Sequence, residues 1–144
     1  MFGQDRDRMR RFYCDVWKAR RTHQALDPLQ QQVAEVIEQH PEYHALLEQP
    51  EHALGREWPP ELGETNPFLH LGLHLGLREQ IATDRPAGIR ALHCRLLDEQ
   101  GDRHALEHRM MECLAEMLWR AQRDGGMPDE ETYLNCLESL GKHG

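Results

Sequence analysis

The sequence predicts an all-α fold, a single-domain bundle of about six or seven helices around a central apolar helix near residues 67–83. Three observations predict it. Prolines stand just ahead of apolar runs, apolar residues recur every three to four positions, and no run of alternating β-branched residues marks a strand. At 144 residues, with 39% hydrophobic and 29% charged side chains, the chain has the size of one domain, 1–144, and enough apolar material for one core.

The first helix is placed at 5–22, with Met9, Phe12, Tyr13, Val16 and Trp17 as its inward stripe. From Met1 to Thr22 there are seven Arg or Lys against three Asp, so residues 1–22 form a basic N-terminal helix on a chain of formal charge −8. Pro28, Pro41, Pro67, Pro86 and Pro128 then mark starts, because the fixed φ and absent N–H of proline suit a first helical turn. They give helices at 28–39, 41–48, 67–83, 86–100 and 128–140, with one more at 102–123. In 28–39 the stripe is Leu29, Val33, Val36 and Ile37. Residues 51–64, rich in proline and glycine, are the long loop, with Trp58 laid over the core. In 67–83, Phe68, Leu69, Leu71, Leu73, Leu75, Leu77 and Ile81 surround the helix on nearly every side, as expected of a central helix. Gly72 and Gly76 leave a groove for a close neighbour. Asn66 and Asp102 are N-caps, and Gly125-Gly126 ends the longest helix.

Several function classes are excluded or unsupported. The most apolar stretch, Phe68 to Leu77, is interrupted by His70 and His74 and is half the roughly 20 residues of a spanning helix, so no membrane association is expected. The N-terminus lacks the apolar core of an export signal. Cys14, Cys94, Cys113 and Cys136 stand singly, which predicts reduced thiols, no disulfide and a cytoplasmic location. The acidic balance argues against nucleic acid, whose phosphates must be met by clustered basic residues. The basic arm suits the acidic remainder of its own chain or of a second subunit, which allows a homodimer or a protein partner. Arg78-Glu79 and Asp84-Arg85 are read as exposed or inter-helix ion pairs. No phosphate loop, nucleophile elbow or Cys–His arrangement signals an enzyme.

Histidine is the unusual feature. Ten occur, and the spacing His-x-x-x-His appears as His40/His44, His70/His74 and His104/His108. Residues four apart share a helix face, which is how paired histidines reach one metal ion. Glu48 follows His44, and Glu112 follows His108, at the same interval. His70 and His74 align with Leu77 and Ile81; His104 and His108 align with Met111, Ala115, Leu118 and Trp119; His93 aligns with Ile89 and Leu96. These histidines are therefore expected to face inward, where every polar nitrogen needs a partner. Either a hydrogen-bond network or a divalent metal, zinc or iron, provides one. The candidate ligands are His40, His44, His70, His74, His104, His108 and Glu112.

The segments HPEYHALLEQPE (40–51), GETNPFLHLGLHLGLREQIATDRPAGIR (63–90) and HRMMECLAEMLWRAQRDG (108–125) resemble the bacterial family known as domain of unknown function 1841, over nearly the whole chain. The resemblance implies a bacterial cytosolic protein and brings no mechanism with it. A much weaker similarity is to haemerythrin-like helical bundles, which implies di-iron ligands at His23, His44/Glu48, His70/His74 and His93/Asp98. Two readings of function follow. One is a non-enzymatic adaptor or assembly protein. The other is a His/Glu metal-binding helical bundle acting as carrier, sensor or metal-dependent enzyme.

Overall fold

The structure of the protein, a computed structural model, describes residues 2–58 and 66–141, with side chains from residue 5 onward. Among these residues there are eight α-helices and no strand, so the fold is all-α. The helices are α1 (Phe2–Arg21), α2 (Pro28–Glu38), α3 (His44–Leu47), α4 (Pro50–Gly55), α5 (Pro67–Thr83), α6 (Ile89–Gln100), α7 (Arg103–Asp124) and α8 (Glu130–Glu138). No helix among them is long and apolar enough to cross a membrane. The chain forms two compact units, Met1–Gly72 and Leu73–Gly144, with the division falling inside α5.

In the first unit α1 packs against α2, α3 and α4. Its core contains Tyr13, Val16 and Trp17 from α1, Val33, Val36 and Ile37 from α2, and Leu47. The expected stripes hold there, but their first members do not: Met9 is 52% exposed and Leu29 is 59% exposed. Arg10 is buried in place of Met9 because the C-terminal carbonyls of α4 need donors. Its Nη1 donates to the carbonyls of Ala53 (2.9 Å) and Arg56 (2.8 Å). The guanidinium also lies 5.1 Å from the ring centre of Trp58 and 5.0 Å from that of Phe68. Trp58 meets Phe68 edge to face at 6.0 Å, so this aromatic does lie against the core of its unit. The loop expected at 51–64 is in part a helix, since Pro50 opens α4 one residue earlier and Ala53 is buried. Residues 59–65 lie outside the described residues.

The segment at 41–48 likewise divides, into a 3-10 turn (Pro41–Tyr43) followed by α3. Asp27 caps α2 in a reciprocal capping box with Gln30. Asn66 caps α5 as expected, its Oδ1 accepting from the N–H of Phe68 at 2.9 Å. The positive charge of α1 is met within this unit: Arg6 pairs with Glu57 and Arg20 with Glu38, each at 2.7 Å.

The second unit is built on α6, α7 and α8, with Leu77, Ile89, Leu92, Leu96, Leu106, Met110, Leu114, Tyr133 and Leu137 among its core residues. Pro86 does not open a helix. The Arg85–Pro86 bond is cis, and α6 begins at Ile89 behind Gly88, whose φ of 98° suits glycine. Asp84, expected in an ion pair, instead accepts from the N–H groups of Gly88 (3.1 Å) and Arg90 (3.0 Å). Asp102 caps α7 through Ala105 N–H, and Gly125 ends it in a left-handed conformation. On α7 the buried stripe is Met110, Met111, Leu114 and Met117, while Leu118 (43%) and Trp119 (54%) are exposed. The inward face is thus one position off the expected one, turned toward α8.

That turn corrects the reading of the cysteines. Cys113 and Cys136 form a disulfide, with Cα atoms 5.9 Å apart. The short connection after Gly125 folds α8 back on α7, which brings together two residues 23 positions apart in sequence. Cys14 is free and buried, and Cys94 is free and exposed.

The two glycines of α5 differ. A Cβ on Gly72 would sit 3.7 Å from the Tyr13 hydroxyl, whereas one on Gly76 would meet nothing within 4 Å. The groove expected at Gly76 is open space. Gly76→Ala is therefore expected to stabilise the protein by about 0.5–1 kcal/mol through the lower helix propensity of glycine. Urea unfolding checks this; an unchanged or lowered midpoint would show that the position is filled.

Candidate functional site

In the first unit, His40 follows α2 and is fully buried. Its Nδ1 donates to the carbonyl of Val36 at 2.7 Å. That bond fixes the proton on Nδ1 and leaves Nε2 with the lone pair of the neutral ring. His40 Nε2 lies 3.1 Å from Nε2 of His70, in the first turn of α5. Tyr43 stacks on His40 at 5.5 Å and meets His70 edge-on at 5.8 Å, which fixes both rings. His44 is used differently. Its Nε2 donates to the carbonyl of Ile37 at 2.8 Å, and its ring lies 4.2 Å from that of Trp17. Glu48, the expected companion of His44, accepts from Trp17 Nε1 at 3.1 Å.

The second unit centres on Glu107, a carboxylate only 3% exposed. His74 Nε2 lies 2.7 Å from its Oε1, and His93 Nε2 lies 3.2 Å from its Oε2. The Nε atoms of Arg78 and Arg103 approach at 3.4 and 3.6 Å. Burial opposes ionisation of Glu107, yet hydrogen bonds from His74 and His93 and the charge of Arg78 outweigh it. The carboxyl is held well below the ordinary carboxylate range. As His74 donates through Nε2, its lone pair in the neutral ring is on Nδ1. Two half-buried rings lie nearby, His108 at 5.7 Å and His104 at 6.2 Å from His74 between centroids, and 4.0 Å from each other. A ring nitrogen of His74 and one of His108 come within 4.8 Å.

Five of the candidate ligands thus fall into two sets, His40 with His70, and His74 with His104 and His108. His44 is committed to a backbone carbonyl, and Glu112 is exposed. Glu107 and His93 were absent from the candidate set. A signal for Glu107 was present: it lies three, four and seven residues before Met110, Met111 and Leu114, a carboxylate within an apolar stripe. Of the haemerythrin-type set, His23 and Asp98 are exposed, His93 turns to Glu107, and Glu48 is bonded to Trp17.

Fold and site together define an all-α protein in which, among the described residues, three of the five buried polar side chains are histidines, two of them bonded to the buried Glu107 of the second unit. The chain belongs to the family described as Domain of unknown function (DUF1841), which it matches over residues 5–139. No curated protein and no solved structure matches it.

Proposed function

We propose that the protein binds a divalent transition metal, zinc in the first instance, through His74, His104 and His108, with Glu107 orienting His74. The observation that carries this reading is the Glu107–His74 bond beside two further imidazoles. Histidine ligands of metals characteristically give their second ring nitrogen to a carboxylate or a carbonyl, which fixes the tautomer and strengthens the ligand. Two imidazoles on one tetrahedral ion have ring centres about 5 Å apart, given bonds of roughly 2.0–2.1 Å. The separations of 4.0, 5.7 and 6.2 Å bracket that value. His40 and His70 extend the reading with a second nitrogen pair, 3.1 Å apart, in which His40 is tied to a backbone carbonyl. Donor sets made of nitrogen favour zinc over the carboxylate-rich centres of di-iron bundles.

The test is calorimetric titration of zinc into untagged, chelator-treated protein. Saturable binding is expected, weakened at least about 100-fold in His74→Ala/His108→Ala and about 10–100-fold in Glu107→Gln. Exposed His23→Ala serves as the control. Binding should also weaken as pH falls, because protons compete for the imidazole lone pairs. Unaltered affinity in the folded double variant would remove the proposal.

The adaptor reading draws on one observation. Leu118, Trp119 and Met127 are 43%, 54% and 88% exposed around the C-terminal end of α7, an apolar surface suited to a partner. Light scattering that shows a dimer, returned to monomer by Trp119→Ser, would support it. A monomer throughout the micromolar range would end the homodimer form of this reading.

A further inference from the structure

We propose that Cys113–Cys136 is a reactive disulfide, opened and closed by small-molecule thiols that enter the cleft between α7 and α8. The cleft has a volume of about 290 Å³ and lies wholly within the second unit. At roughly 30 Å³ per water it has room for about ten, enough for a low-molecular-weight thiol. Its wall on α7 recurs at helical spacing, with Cys113, Met117 and Ala121, and α8 faces it with Thr132, Tyr133 and Cys136. The connection between the helices closes one end, and the two cysteines are the lining residues farthest from that connection along each helix. Between those ends Ala121 and Thr132 carry short side chains, which leaves the space open.

The two cysteines are unequally covered. Cys113 is 4% exposed and belongs to the core of this unit, whereas Cys136 is half-buried. Exchange depends on which sulfur a thiolate can reach, and exposed disulfides are the labile ones. Cys136 Sγ is therefore the sulfur attacked, and Cys113 is the leaving group. The incoming thiolate bonds to Cys136 Sγ, the Cys113–Cys136 bond breaks, and its electron pair leaves on Cys113 Sγ, which takes a proton from water. A second thiolate attacks the small molecule's sulfur in the mixed disulfide. It gives an oxidised small disulfide and the Cys136 thiolate, which is protonated in the same way. Two small thiols are oxidised and one protein disulfide is reduced; with a small disulfide as oxidant the sequence runs in reverse. Opening the bond need not release α8, because Tyr133 and Leu137 are buried and the Tyr133 hydroxyl donates to Gln80 at 2.6 Å.

This site does not depend on the metal reading. The experiment uses full-length Cys94→Ser protein, which lacks the exposed free thiol. It is reacted with cysteamine in native buffer, quenched in acid at intervals and mapped by mass spectrometry. Reduction is expected in the folded protein, at a rate that urea well below the unfolding midpoint does not change. In the mixed disulfide, cysteamine should be on Cys136. Ala121→Phe, which fills the cleft, should slow reduction at least about tenfold, since exchange requires access to the attacked sulfur. Leu118→Phe, on α7 outside the cleft, should leave the rate unchanged. Absence of reduction in the folded protein, a rate that climbs with urea in step with unfolding, an adduct on Cys113, or equal rates in Ala121→Phe and its parent would overturn the proposal. Should Ala121→Phe fail to fold, the urea dependence and the position of the adduct still decide.

Discussion

Replacing Glu107 by alanine is expected to destabilise the protein by about 3–5 kcal/mol, the range for removing one partner from a buried charge network. His74 is fully buried and donates Nε2 to this carboxylate at 2.7 Å, so the variant leaves a buried N–H without its acceptor. His93 loses its acceptor as well, and the half-buried Arg78 loses one ion-pair partner. Glutamine should cost less, because one amide oxygen still accepts from one histidine. Urea unfolding measures both variants. A loss under about 1 kcal/mol for alanine would mean that solvent or another group satisfies the histidines, and the carboxylate would then not be the organising residue.

The same glutamate sets a pH dependence whose sign is fixed by linkage. Its folded pKa lies below the ordinary value of 4.5, so above that value it is ionised in both states and its stabilisation is complete. Below it the unfolded chain takes up the proton first, and stability falls progressively as the pH approaches the folded pKa. Wild type should therefore lose stability from about pH 5 downward more steeply than Glu107→Gln, which lacks this group. Parallel thermal-midpoint curves for the two proteins between pH 5 and 3 would contradict the assignment.

The helices were legible in the sequence wherever the signal was local. Pro28 and Pro67 open helices, and Asn66 and Asp102 cap them, because each acts on its own next turn. Pro86 misleads because Asp84, two residues upstream, already supplies the acceptor for the N–H groups of Gly88 and Arg90. Met9 and Arg10 exchange roles for a non-local reason, since the carbonyls that Arg10 satisfies lie more than forty residues away at the end of α4. The histidine pairs could be found by spacing, but what each ring does depends on its partner. His44 and His74 sit in the same kind of pair, yet one meets a backbone carbonyl and the other a glutamate 33 residues distant. Glu107 was within reach as a charged residue in an apolar stripe; Glu112, four residues after His108, lies on the exposed side of the same helix.

Reduction of Cys113–Cys136 is expected to lower stability by about 3 kcal/mol, the chain-entropy value for a closed loop of 23 residues. The bond ties α8 to α7, and α8 has other attachments that should let the reduced protein fold. Tyr133 and Leu137 are buried in the core of this unit, the Tyr133 hydroxyl donates to Gln80 at 2.6 Å, and Arg95 pairs with Glu138. Cys113→Ala/Cys136→Ala should therefore unfold cooperatively at a lower urea concentration than wild type, near the midpoint of wild type in reductant. Added reductant should leave the double variant unmoved. Thiol titration under denaturing conditions gives an independent count: Cys14 and Cys94 alone should react before reduction, and all four cysteines after it. If the protein purified without reductant already titrates four thiols, or its unfolding is the same with and without reductant, the bond contributes nothing. The attachment of α8 would then rest on Tyr133, Leu137 and the surface pairs alone.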